Sequence, residues 1–141
     1  MSRFLDSLDQ SNELPKVVIY NNNPVDNYAM ATMTGNFQDG STPGKMQFGA
    51  GWWHLDTKEG MEMQMNALSN TGLFSRWVGM LTDSRSFMSY PRHEYFRRVL
   101  CNLVGGEMER GEIPMDDELV GAMIRNICYR NARDFFGVDL P

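Results

Sequence analysis

The sequence predicts an α/β fold in which three parallel strands alternate with helices and one further helix follows. Three short apolar segments, at 16–20, 45–49 and 76–82, are each followed by a turn and then by apolar residues at helical spacing. This βαβαβα order favours a parallel sheet with right-handed crossovers. The 141 residues contain no internal repeat, low-complexity tract or linker, so 1–141 is expected to form one unit without an internal boundary.

The first unit begins with the strand at 16–20 and a turn of three asparagines. Asn23 before Pro24 is typical of an N-cap followed by the first helical position, because the missing N–H of proline costs nothing there. The helix is expected to continue to about Met33. The Gly35–Asn36 pair is a typical stop signal.

The second unit begins with the strand at 45–49 and ends with a helix predicted over 57–70. Asp56, with Glu59 three residues later, resembles a capping box at the start of this helix. Gly72 is expected to end it. One face of the helix carries apolar residues at the right spacing, namely Met61, Met65 and Leu68.

The third unit begins with the strand at 76–82, and its helix is predicted from Ser89 to about Val104, with a break or weak point at Gly105–Gly106. After a turn, Asp116 is expected to cap the last helix. Its apolar face consists of Val120, Met123, Ile124, Ile127, Cys128, Phe135 and Phe136.

Composition excludes several functions. The net charge is -5 and no Lys/Arg cluster is present, which argues against nucleic-acid binding. The densest basic group is expected to be the solvated face of a helix: Arg92, Arg97 and Arg98. No apolar run approaches the roughly 20 residues that span a bilayer, and the first residues do not resemble a signal peptide, so a cytoplasmic location is expected. Cys101 and Cys128 are predicted to be buried thiols and not a disulfide.

The candidate catalytic residues follow the third predicted strand. Asp83 could bind a divalent metal or act as a base, or it could simply cap the turn that follows. Arg85 could bind a carboxylate with its planar guanidinium, or it could form a structural salt bridge with Asp83 or Glu94. Trp52, next to Trp53, could line a pocket mouth and pack on a sugar ring, although paired tryptophans also occur in cores.

The segment that contains these charged residues, GMLTDSRSFMSYPRHEYFRR at 79–98, closely resembles the last strand and helix of the uronate (glucuronate) isomerases. Other segments are similar to that family in the same order. They are NELPK at 12–16, ATM at 31–33, GNFQ at 35–38, QFGAGWW at 47–53, LCNL at 100–103, GEIP at 111–114, ICY at 127–129 and NA at 131–132.

The resemblance implies the C-terminal βα units, sixth to eighth, of a (β/α)8 TIM barrel, since 141 residues are too few for a barrel of about 250. It implies aldose–ketose isomerisation of D-glucuronate to D-fructuronate and of D-galacturonate to D-tagaturonate through an enediol. A divalent metal, zinc or alternatively manganese, is implied for the complete enzyme. Asp83 would be its ligand and help to deprotonate a hydroxyl, Arg85 would bind substrate, and Trp52 would shape the pocket.

One departure from the family pattern limits this expectation. The His-x-His pair of the family's first strand has no counterpart here, and one carboxylate binds Zn²⁺ poorly because a catalytic site takes about three protein ligands. The chain is therefore expected to be inactive alone, to bind no metal tightly by itself, and to form homo-oligomers or associate through exposed sheet edges. The alternative is a non-catalytic fragment or small binding module that retains the scaffold.

Overall fold

Two short parallel strands lie among helices in the computed structural model, which describes residues 1–51 and 53–138. The α-helices are α1 (Ser2–Gln10), α2 (Asn27–Gly35), α3 (Lys58–Thr71), α4 (Pro91–Glu109), α5 (Asp117–Arg125) and α6 (Asn131–Phe136). The strands are β1 (Val17–Ile19) and β2 (Met46–Phe48). Short 3-10 turns occupy Pro24–Asp26, Trp53–Leu55, Phe74–Arg76 and Phe87–Ser89, and a π-helical turn occupies Asn126–Arg130.

The sheet confirms the first two predicted strands with shorter bounds. Strands β1 and β2 are parallel, with Val17 opposite Met46 and Ile19 opposite Phe48. One further hydrogen bond, from Gly49 N–H to the Ile19 carbonyl (2.7 Å), extends the pairing to the carboxyl end of both strands. The carboxyl ends of β1 and β2 therefore meet at one edge, which we call the carboxyl edge.

The predicted third strand at 76–82 is not formed in the described part of the chain. Residues 77–82 have no strand assignment, and Gly79 has a left-handed φ of 78°, which a strand does not accommodate. Side-chain amides replace strand partners here. Gln47 bonds to the Val78 N–H and the Arg76 carbonyl (3.0 Å each), and Asn131 donates to the Trp77 carbonyl (2.8 Å).

Helix α1 was not predicted from the sequence. It has one buried residue, Leu5, which joins a small cluster at the start of the sheet together with Leu14, Ile19, Phe37 and Met46. This burial stabilises a helix that lacks a side-chain N-cap.

The predicted start of the first crossover helix is confirmed, and the cap of the second is corrected. Asn23 Oδ1 accepts from the Val25 N–H (3.3 Å) at the start of the 3-10 turn that leads into α2. For α3 the N-cap is Thr57, not Asp56: Thr57 Oγ1 accepts from the Gly60 N–H (3.1 Å). Asp56 instead forms an ion pair with Arg92, so its carboxylate is not available to cap the helix.

The predicted break in α4 is wrong, because the helix passes through Gly105–Gly106 to Glu109. Val104 and Met108 are buried on either side of the glycines, and their packing holds the helix together there. In the terminal helical run, Asp116 caps α5 as predicted: its Oδ1 accepts from the Leu119 N–H (2.9 Å). The run ends at Gly137, which has a left-handed φ of 64°.

The main core surrounds Trp77. Its ring is stacked on Phe74 and meets Phe96 of α4 edge-on, with centroids 5.9 and 5.5 Å apart. Cys101 and Cys128 are free thiols, but Cys101 is exposed and Cys128 is half-buried, so the prediction that both are buried is wrong. No helix in the described ranges is long and apolar enough to cross a bilayer.

Candidate active site

The backbone turns sharply at Asp83, directly after the buried run 77–80. Asp83 has a left-handed φ of 46°, which aspartate tolerates better than most residues. Its side chain and that of Arg85 are both exposed. Non-glycine residues in this region of conformational space are enriched at functional sites, so the turn at Asp83 is a candidate functional feature.

A series of hydroxyl groups supports this turn. Thr82 Oγ1 accepts from the Ser84 N–H (3.4 Å), Ser84 Oγ accepts from the Ser86 N–H (3.4 Å), and Ser86 Oγ accepts from the Met88 N–H (3.2 Å). The hydroxyls of Ser84 and Ser89 are also hydrogen-bonded to each other. Thr82, Ser84 and Ser86 thus each accept from the backbone N–H two residues later. The charged side chains between them, Asp83 and Arg85, are exposed to solvent.

Tyr20 places Asp83 at the carboxyl edge. Tyr20 directly follows β1, and its ring packs so closely on Gly49, which follows β2, that a Cβ at Gly49 would lie 2.6 Å from a ring atom. Burial raises the pKa of the Tyr20 phenol to about 12, and the negative charge of Asp83 adds to this shift. A Coulombic effect of this kind requires Asp83 to be near the phenol.

Arg85 lies two residues beyond Asp83. Within the described residues its guanidinium makes no hydrogen bond or ion pair, and the proposed structural partner Glu94 instead pairs with Arg98 of its own helix (2.8 Å). The neighbouring apolar side chains Phe87 and Met88 are more than four-fifths exposed. An exposed guanidinium in this setting is available to a ligand. The third predicted site residue, Trp52, lies outside the described residues.

The described residues do not complete a metal site. No group of three or more His, Cys, Asp or Glu side chains among them could hold a metal ion. A catalytic zinc normally takes about three protein ligands. Among the described residues Asp83 is therefore not part of a group of three such ligands.

Sequence reasoning missed two residues that shape this edge. Tyr20 was counted only as the end of a strand, although its place at the carboxyl end of β1 was a usable signal. The prediction that Arg92 lies on a solvated helix face is wrong. Arg92 is half-buried, donates to the Thr82 carbonyl (2.8 Å) and pairs with Asp56. The pairing of residues 36 positions apart could not be read from local spacing.

A parallel strand pair joined and followed by helices makes this an α/β protein, a class whose ligands generally bind outside the carboxyl ends of the strands. Comparison with known proteins identifies the family within this class. The glucuronate isomerase family profile matches residues 1–136. The chain belongs to the uronate (glucuronate) isomerase family.

Individual relatives agree with this assignment. The uronate isomerase of Opitutus terrae is 72% identical over 140 residues, covering 99% of this chain and 30% of the relative. That of Bacillus subtilis is 59% identical and covers 95% of this chain and 28% of the relative. The crystal structure of uronate isomerase from Thermotoga maritima superposes with a TM-score of 0.81 at 32% identity, over 95% of this chain and 28% of that one. The chain thus spans about 30% of the length of these relatives.

Proposed function

We propose that this chain forms part of a hexuronate isomerase, an enzyme that interconverts D-glucuronate with D-fructuronate and D-galacturonate with D-tagaturonate. The observation that supports this most directly is the family match over 1–136 together with 72% identity to a uronate isomerase. The reaction moves a proton between C1 and C2 of the sugar through an enediol, so it needs a base and a group that fixes the substrate carboxylate.

Asp83 and Arg85 are the residues we assign to these tasks. An exposed carboxylate near a largely buried phenol can accept a proton from a substrate hydroxyl. An exposed guanidinium without an ion pair among the described residues can bind the uronate carboxylate through two parallel hydrogen bonds. Trp52 is proposed to shape the pocket around the sugar. A divalent metal, zinc or manganese, is proposed only for the complete enzyme, with Asp83 as one ligand among others that this chain does not supply.

The proposed architecture of the complete enzyme is a (β/α)8 barrel, to which this chain contributes C-terminal βα units. The support is the close superposition on the Thermotoga maritima enzyme and the position of Asp83 at the carboxyl ends of parallel strands. Active sites of such barrels lie at that end. The buried segment 77–80 then corresponds to the strand position that follows β2. We propose a cytoplasmic location for the complete enzyme.

The chain alone is proposed to be catalytically silent and to associate with itself. Two observations favour the proposed self-association. Among the described residues β1 and β2 pair only with each other, which leaves sheet edges open, and several large apolar side chains are exposed, including Phe87, Met88 and Leu81. An inactive scaffold that binds copies of itself is therefore the second candidate for the isolated chain.

A segment replacement tests the proposed function. The 141 residues are substituted for the matching segment of the Opitutus terrae uronate isomerase, and ketose formation from glucuronate and galacturonate is measured with Zn²⁺ or Mn²⁺ present. The hybrid enzyme is expected to turn over both uronates. The 141-residue chain alone is expected to form no ketose under the same conditions. A well-folded hybrid with no activity would contradict the proposed function, and turnover by the chain alone would contradict its proposed silence.

A further inference from the structure

A single guanidinium connects two loops at the carboxyl edge. Arg92, the second residue of α4, donates from Nη1 to the Thr82 carbonyl oxygen (2.8 Å) and forms an ion pair through Nη2 with the carboxylate of Asp56. The Asp56 side chain is only 8% exposed, while that of Arg92 is 35% exposed. The other Asp56 oxygen is buried and has no hydrogen-bond partner among the described residues. Arg92 therefore supplies the countercharge that the buried carboxylate needs.

The two loops joined by Arg92 are those that contain the proposed site residues. Thr82 directly precedes Asp83, so the Thr82 carbonyl belongs to the peptide that leads into the left-handed turn. Asp56 ends the loop that follows β2, the loop that contains Trp52 in the sequence. Arg92 holds both at once through two nitrogens of one planar group, which fixes their relative position.

The loop after β2 packs closely on α3 at Leu55. The Leu55 carbonyl oxygen lies 2.6 Å from where a Cβ on Gly51 would be and 2.0 Å from where a Cβ on Gly60 would be, so neither glycine has space for a side chain. A tie from Arg92 to Asp56, the residue after Leu55, consequently links the Thr82 peptide to a point where the backbone is closely packed on α3.

We infer that Arg92 is a positioning residue that holds the Asp83–Arg85 turn in register with the loop after β2. In its absence the Thr82 peptide loses its hydrogen bond to Arg92, and with it the link to that loop. For catalysis this inference rests on the proposed function. For the order of the turn it stands on the contacts of Arg92 alone.

Hydrogen exchange in the 141-residue chain tests the structural part. We expect Arg92→Met to raise exchange of the amides in 82–87 by at least about tenfold, the scale of a local opening that loses its tether. Arg92→Lys, which keeps the charge but offers one nitrogen in place of two, should give a smaller increase and keeps the test usable if the methionine variant does not fold. Arg98→Met is the matched control, because it removes an exposed arginine whose partners among the described residues, Glu94 and the ring of Tyr95, belong to its own helix. Unchanged exchange of 82–87 in a folded Arg92→Lys or Arg92→Met chain would overturn the inference.

The hybrid enzyme tests the catalytic consequence. A displaced catalytic group costs up to about a hundredfold in rate, so we expect Arg92→Met to lower kcat by at least about tenfold and also to raise KM, because Arg85, the proposed carboxylate-binding residue, lies in the same turn. Arg92→Lys should restore part of the loss, and Arg98→Met should behave as the parent. A purely structural role would lower the amount of folded enzyme and leave kcat per folded molecule unchanged, which would overturn the inference. An inactive parent hybrid with the expected exchange pattern would instead overturn the proposed function alone.

Discussion

The side-chain amide of Gln47 satisfies the backbone of the neighbouring buried segment: its Oε1 accepts from the Val78 N–H and its Nε2 donates to the Arg76 carbonyl, both at 3.0 Å. Gln47 and Val78 are 2% and 4% exposed. A single side chain in the middle of β2 thus makes the hydrogen bonds that the backbone of a neighbouring strand would otherwise make. This relationship explains why the segment is extended and buried without belonging to the sheet.

We predict that Gln47→Met lowers the free energy of unfolding by about 2 kcal/mol, because it leaves the buried Val78 N–H and the part-buried Arg76 carbonyl without this partner. Gln64→Met is the matched control. Gln64 is equally buried, but it makes one bond, to the Phe48 carbonyl (3.2 Å), and its Oε1 is without a partner among the described residues. Gln64→Met should therefore lower the free energy of unfolding by less than about 1 kcal/mol. Urea denaturation of both variants checks this, and equal losses would contradict it.

Two glycine-to-alanine changes in helices should have opposite effects on stability. At Gly60 the new Cβ would lie 2.0 Å from the Leu55 carbonyl oxygen, so we expect a loss of about 3 kcal/mol or more, the upper range for overpacking. At Gly105 no atom lies within 4 Å of the Cβ position, so alanine should stabilise the protein by about 0.5–1 kcal/mol. The denaturation midpoints of the two variants, compared with that of the unchanged chain, measure both effects. A destabilised Gly105→Ala would show that α4 needs flexibility there.

The proximity of Tyr20 and Asp83 predicts a pH effect. In the folded state the pKa of Tyr20 is raised from 10.0 to about 12, so its contribution to stability is fully present below about pH 10 and is lost as the pH rises through 12. Asp83→Asn should lower this pKa but leave it above 10.0, because burial is the larger cause. Tyrosinate absorbance after a rapid pH jump measures the pKa of Tyr20 in the folded protein. Tyr90→Phe, at an exposed tyrosine, should leave the late-titrating step unchanged, and an unchanged step in Asp83→Asn would show that the two groups are not coupled.

Substitutions at the proposed catalytic residues should reduce turnover in the hybrid enzyme. Asp83→Asn removes the anionic group at constant size, and Arg85→Met removes the carboxylate-binding guanidinium. Each is expected to lower kcat/KM by at least about a hundredfold, the scale of losing one well-placed electrostatic group. Glu94→Gln and Arg98→Met, an exposed carboxylate and guanidinium that pair with each other, are the matched controls. Near-normal kinetics for either site variant would show that the site has been assigned to the wrong residues.

The isolated chain is expected to form dimers or larger species in light scattering, because exposed apolar surface associates. Replacing Phe87 and Met88 together by serine should shift the distribution towards monomer, since these side chains are 81% and 86% exposed. Met115→Ser, at another exposed apolar side chain on the turn before α5, serves as the control. A monodisperse monomer of the unchanged chain would contradict the expectation.

Local patterns in the sequence were sufficient for several elements. Asn23 and Asp116 cap helices because each side-chain oxygen accepts from a backbone N–H two or three residues later, an interaction that depends only on nearby residues. The two strands that formed, and the helices that follow them, are predicted by apolar spacing together with local cap and stop signals. The family assignment also came from local motifs, above all the segment 79–98.

The failures occurred where distant residues decide the structure. Thr57 caps α3, whereas Arg92 engages the predicted cap, Asp56, from another helix. Helix α1 exists because Leu5 has a buried cluster to join, and α4 passes its two glycines because flanking side chains are packed. In each case a tertiary contact outweighs a local preference worth about 1 kcal/mol.

The sequence by itself determined which groups are charged at the candidate site: the Asp83 carboxylate and the Arg85 guanidinium after a buried run. Only the tertiary structure decided how they are presented. Asp83 takes a left-handed turn near the Tyr20 phenol, which is 63 positions away in the chain. Arg92 ties that turn to Asp56, and Arg92 and Asp56 are 36 positions apart. The physical reason is that side-chain chemistry is a property of each residue, whereas a distance between residues far apart in the chain is set by the packing of the elements that hold them.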